Sequence, residues 1–71
     1  MPKYANAKSG IIAYEISDDS ILIEFKGGTK YLYNYNISGK SNVETMKALA
    51  KKGSGLNAFI HKNVKHQYIK K

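Results

Sequence analysis

The sequence predicts an α+β domain, a three-stranded antiparallel β-meander packed on one face by two C-terminal α-helices. Three observations carry this prediction. Apolar residues alternate with a period of two from Ile12 to Tyr35, two clusters of turn-forming residues interrupt the alternation, and after Gly39 the apolar spacing becomes that of an amphipathic helix.

The elements follow in chain order. Residues 1–8 show no periodicity and read as a flexible lead-in to a single domain spanning 9–71. Ile12, Tyr14 and Ile16 alternate with Ala13 and Glu15, then Ser17, Asp18, Asp19 and Ser20 supply turn chemistry, and Ile21, Ile23 and Phe25 resume the alternation. Such a turn sets Ile16 opposite Ile21, Tyr14 opposite Ile23 and Ile12 opposite Phe25, so the apolar side chains of both strands share a face. A second turn at Gly27, Gly28 and Thr29 leads into Lys30, Tyr31, Leu32, Tyr33, Asn34 and Tyr35. A two-residue Gly-Gly turn would pair Phe25 with Lys30 and send the tyrosines to the wrong side. A three-residue loop with glycine in a left-handed bulge position pairs Phe25 with Tyr31, Ile23 with Tyr33 and Ile21 with Tyr35, and is the expected solution.

Ser41, Asn42, Val43 and Glu44 have the form of a capping box, which predicts a first helix beginning at Ser41. Val43, Met46, Leu49 and Ala50 mark its inner face, Lys51 and Lys52 complement its carbonyl end, and Gly53 is suited to terminate it. After a short linker, Leu56, Phe59, Ile60 and Val64 recur on one stripe of a second helix. Its opposite arc holds His61, Lys62, Lys65 and His66, and a basic tail runs from Tyr68 to Lys71.

Composition bounds the function. With 71 residues, 42% hydrophobic content, one Pro and no Cys, the chain reads as a folded single domain without disulfides or thiolate metal ligands. No apolar run approaches the roughly 18 residues of a membrane span, and the polar start at Met1, Pro2, Lys3 and Tyr4 offers no secretory leader, so a cytoplasmic location is expected. The net charge is +7, and its distribution is uneven: residues 1–39 hold four Lys and four acids, whereas residues 40–71 hold eight Lys and only Glu44. A one-sided positive field attracts nucleic acid, an anionic membrane or an acidic protein; the plainer alternative is a lysine coat that keeps the protein in solution. Arg is absent, so the planar fork that reads guanine is missing and base-specific recognition by that route is excluded.

The order of residues resembles the KTSC domain, a short family named for its occurrence at the C-terminus of some lysyl-tRNA synthetases and also found free-standing. The resemblance runs from Ser9 to Tyr68. It is carried by Ile21, Ile23, Phe25 and Gly28, by Tyr31 and Tyr33, and by the closing run Gly55, Leu56, Asn57, Ala58, Phe59 and Ile60 with Val64 and Tyr68. The chain departs from the family where Asn34 to Gly39 carries no Pro, and in a glycine-rich turn between the helices. The resemblance implies no catalytic activity, and RNA binding only by association with the synthetase.

No enzyme, cofactor or metal centre is expected. His61 and His66 are five apart, which turns them about 140° from each other on a helix, too far to chelate one ion. Asp18 and Asp19 lack a third acidic partner and suit a turn, and nothing apolar surrounds Glu15 and Glu24 to separate them into acid and base. The favoured function is a non-catalytic basic module that binds RNA or single-stranded nucleic acid, RNA ahead of DNA, through Lys51, Lys52, His61, Lys62, Lys65, His66, Lys70 and Lys71. Tyr31 and Tyr33 could stack on bases, but their shared face with the isoleucines favours burial. Asn57 suits a helix cap, and Asn63 could add a hydrogen bond at the stripe boundary. Membrane association is disfavoured because the sheet needs the apolar stripe of the second helix. The other sheet face shows Ile11, Leu22 and Leu32 among charged residues, a candidate self-association surface. The alternatives are a protein-interaction module, such as a phage or mobile-element accessory docking on an acidic host protein or forming a homodimer, and a small-nucleotide binder, which would need a pocket.

Overall fold

The computed structural model describes residues 2–6 and 9–71. Four strands, β1 (Ile11–Ile16), β2 (Ser20–Phe25), β3 (Lys30–Asn34) and β4 (Ile69–Lys70), form one antiparallel sheet in that order. Three helices, α1 (Tyr35–Ser38), α2 (Lys40–Lys52) and α3 (Leu56–Asn63), lie between β3 and β4 in the chain. The α+β class and the antiparallel meander agree with the sequence; α1 and β4 are additions to it.

The first hairpin has the expected register where it turns, with Ile16 opposite Ile21 and Tyr14 opposite Ile23. Further out the pairing shifts, and Phe25 faces Ile11 instead of Ile12. A β-bulge absorbs one extra residue there, so Ile11 enters the core at 0% exposure while Ile12 is left 41% exposed. The second hairpin also differs. Its loop is Lys26, Gly27 and Gly28, closed by the Phe25 amide donating to the Thr29 carbonyl at 2.7 Å, with both glycines at positive φ. Tyr31 therefore pairs with Ile23 and Tyr33 with Ile21, two residues along β2 from the expected partners Phe25 and Ile23. A slip of two residues leaves every side chain on its own face, because the side-chain period of a strand is two.

The strand stops at Asn34, whose side-chain oxygen accepts the Ile37 amide at 2.8 Å and caps the single turn of α1. Tyr35 is thus helical and does not pair with Ile21. Helix α2 begins at Lys40 after Gly39, with no side-chain cap, so the Ser41 capping box is not formed. Asn42 instead donates to the Ser38 carbonyl at 2.8 Å, which ties the two helices together. Val43, Met46 and Ala50 face inward as expected, and Gly53 ends the helix in the left-handed conformation, its amide donating to Leu49 at 2.9 Å.

The core joins Ile11, Ile21, Ile23 and Tyr33 of the sheet to Val43, Met46 and Ala50 of α2 and to Leu56, Ile60 and Val64 at α3. Each large aliphatic side chain buried there contributes about 1.5 to 3 kcal/mol. Tyr4 completes the cluster. It lies at the β1 edge, where its amide donates to the Ile12 carbonyl at 2.8 Å and Pro2 accepts from Tyr14 at 3.0 Å, and its hydroxyl accepts the Leu56 amide at 3.2 Å. That hydroxyl satisfies an orphan N–H at the start of α3, whose preceding Gly55 supplies no side-chain cap. Part of the expected lead-in is therefore built into the domain; Met1, Ala7 and Lys8 lie outside the described residues.

Candidate nucleic-acid interface

The basic surface is positioned by the end of α2, the end of α3 and the return to β4. Lys51 and Lys52 occupy the last turn of α2, and His61 and Lys62 the last turn of α3, where positive charge complements the exposed carbonyls. Lys65 and His66 follow in the connection to β4. That connection is fixed at Val64, whose amide donates to Ile60 at 3.0 Å, and at Gln67, whose carbonyl accepts the Ser38 hydroxyl. The expected basic tail is a strand. Lys70 lies opposite Tyr31, and the Lys71 amide donates to the Lys30 carbonyl at 2.7 Å.

All eight residues expected to contact nucleic acid are exposed. Along the chain they fall into two groups, one before α3 and one from its last turn onward; at a rise of about 1.5 Å per residue the ends of α3 lie roughly 10 Å apart. Lys51 and Lys52 sit near its start, and the other six lie at its end or beyond. Lys30 joins the second group through its pairing with the C-terminal strand, an association the sequence concealed because the strand is too short to show a pattern.

The one acid of the helical half is taken up locally. Glu44 accepts from the Lys47 ammonium at 2.8 Å and from the Tyr35 hydroxyl at 2.6 Å, while Lys47 also donates to the Asp18 carbonyl at 2.8 Å. Lys47 further lies 5.6 Å from the centre of the Tyr35 ring, with Lys40 at 5.8 Å. The Lys47 hydrogen bond, then that of Tyr35, hold the Glu44 carboxyl below its usual value, and the bond to Glu44 raises Lys47 and Tyr35. This cluster fastens the β1–β2 turn to α2. It leaves Lys40, Lys51, Lys52, Lys62, Lys65, Lys70 and Lys71 exposed, with no acidic partner among the described residues.

The aromatic residues divide by burial. Tyr33 is 1% exposed, and desolvation raises its phenol above the usual value, so its ring has no face to offer a base. Tyr31 is half-buried, but Tyr68 stacks on it with centroids 3.8 Å apart and planes 13° apart, and Phe25 lies tilted at 5.3 Å. Tyr31 also holds the Tyr68 phenol above its usual value. Tyr68, between His66 and Lys70 in the chain, is the aromatic residue set among the bases. It immediately precedes β4, a strand too short for its pattern to register in the sequence.

The remaining candidates are placed as follows. Asn57 does not cap α3 but donates to the Ser9 carbonyl at 2.7 Å, and Asn63 donates to Phe59 at 3.2 Å. Ile11 leaves the self-association patch for the core, whereas Leu22 and Leu32 remain half-buried outside the core cluster. Ile69, opposite Leu32, extends their row at 36% exposure. Among the described residues no three His, Cys, Asp or Glu side chains gather as a metal site, and no helix is long and apolar enough to cross a membrane.

Comparison with protein-family models, with curated proteins and with solved structures finds no match for this chain. The resemblance to the KTSC domain accordingly rests on the quoted residues alone.

Proposed function

We propose that the chain is a non-catalytic cytoplasmic module of KTSC type that binds RNA or another single-stranded nucleic acid through its lysine-rich helical surface. The carrying observation is the charge left over after folding: seven exposed lysines without an acidic partner among the described residues, while Glu44 is engaged by Lys47. Lysines arrayed in this way neutralise phosphates and release counterions. Without Arg they do so as point charges, so binding tolerates unrelated sequences. Lys62, Lys65, Lys70 and Lys71 form the main contact, with Lys30 beside them; Tyr68 is the aromatic residue nearest in sequence to this group.

Anisotropy titrations of a labelled single-stranded RNA test the reading. If about five phosphates are contacted, raising salt from about 50 to about 200 mM weakens binding roughly a hundredfold. Replacing Lys62 and Lys65 by Glu should lower affinity at least tenfold more than replacing Lys3 and Lys26, although both pairs change the net charge equally. Equal losses would reduce the effect to overall charge. Absence of binding by the unmodified protein at low salt would transfer the basic surface to an acidic protein partner.

A further inference from the structure

The helices pack on one face of the sheet, and on the opposite face Leu22 and Leu32 stay half-buried outside the core cluster. Two cross-strand rows define that face. Glu15 pairs with Leu22, Leu22 with Leu32 and Leu32 with Ile69, which makes a continuous apolar stripe with an acid at one end. Beside it Lys3 bridges Ala13, Ala13 pairs with Glu24 and Glu24 with Lys30. We propose that this face binds a second copy of the chain, Leu22 and Leu32 of each copy meeting across a two-fold axis that runs parallel to the strands between β2 and β3.

The register selects this occupant and this axis. Rotation about a line between β2 and β3 exchanges the two strands, so Leu22 lies over the second copy's Leu32 and Glu24 lies over its Lys30. Both contacts then occur twice, as a two-fold interface requires. Leucine meets leucine, the opposed charges of neighbouring strands meet with the correct sign, and at the rim Glu15 lies over Ile69 of the second copy. A two-fold axis perpendicular to the strands would lay each row on itself or on the row beside it and lose this match. Two sheets packed in this way lie about 10 Å apart with their strands roughly aligned.

Size sets the strength. Three strands about 4.8 Å apart, of six, six and five residues, together with the two residues of β4 present a footprint of roughly 300 Å². A standard interface buries about 800 Å² on each partner, so the association is weak and concentration-dependent. Each copy carries +7, and this repulsion opposes dimerisation at low ionic strength. Screening it with salt strengthens the dimer while weakening polyanion binding, so self-association and the nucleic-acid reading stand or fall separately.

Sedimentation equilibrium of the intact chain at about 0.5 M salt, where the screening length is only a few Å, tests the proposal. Over loading concentrations from about 10 µM to about 1 mM, a reversible monomer–dimer equilibrium is expected. Leu22→Lys and Leu32→Lys should each weaken it at least tenfold while retaining the thermal melt of a folded protein. Glu24→Lys should weaken it as well, and the double exchange Glu24→Lys with Lys30→Glu should restore it, which gives a readout independent of any folding defect in the leucine variants. A monomer throughout the range, or a dimer that neither leucine variant disturbs, would overturn the proposal.

Discussion

The sheet half of the molecule, residues 1–39, is electrically neutral and supplies the deepest aromatic packing, whereas residues 40–71 carry all the net charge and, among the described residues, use only Lys47 of their lysines in an ion pair. Ile11, Ile21, Ile23 and Tyr33 build the floor of the core, and α2 and α3 cover it with Val43, Met46, Leu56 and Ile60. The difference teaches that the charge is not what folds this chain. Seven lysines stand outside every ion pair among the described residues, so they can be changed with little effect on stability, while the buried side chains of the sheet half cannot.

The strongest test of this division is Tyr33→Ala. A ring buried at 1% exposure leaves a cavity, and a loss of about 3 kcal/mol or more is expected in urea denaturation. Tyr31→Ala, at a half-buried ring, should cost less; a larger loss at Tyr31 would break the comparison. Next comes Gly53→Ala. At φ 84° its added Cβ would approach the Ala5 Cβ to 2.6 Å, so backbone strain and overpacking combine to about 2 kcal/mol. Pairing it with Ala5→Gly should recover the contact component and leave the backbone component, as thermal melts of both variants would show.

The smallest effects concern the helix starts and sharpen the boundary between the halves. Asn34→Ala removes the cap of α1 and should cost about 1 kcal/mol, whereas Ser41→Ala, within a helix that begins earlier, should stay within about 0.5 kcal/mol. Chemical denaturation of the pair checks the order. A larger cost at Ser41 would restore the capping box that the sequence suggests.

That box shows where legibility ended. Ser41 and Glu44 have the right spacing, but Lys40 is already helical behind Gly39, and Glu44 turns to Lys47 and Tyr35. Alternation identified the strands and their inner face because a period of two is insensitive to the slip between Tyr31 and its partner. It could not reveal the bulge, since Ile11 and Ile12 are chemically identical and only the pairing geometry chooses which is buried. One turn of helix at Tyr35 and two residues of strand at Ile69 are too short for any periodicity to register. The basic positions were readable as exposed because lysine seldom loses its hydration without a partner, yet the division of the set around α3 and the addition of Lys30 depend on chain path.

The hydroxyl of Tyr4 reaches the amide of Leu56, so two groups far apart in the sequence complete one hydrogen bond. During synthesis the β1–β2–β3 meander emerges with its local partners, but this tyrosine must wait for the last helix. At ribosomal speeds of about 5 to 20 residues per second, the wait is roughly 3 to 10 s. Once β3 is complete at Asn34 the isoleucine floor still lacks its last helix for roughly 1 to 4 s of that interval, and closure of the domain is timed by translation as much as by the intrinsic rate of folding.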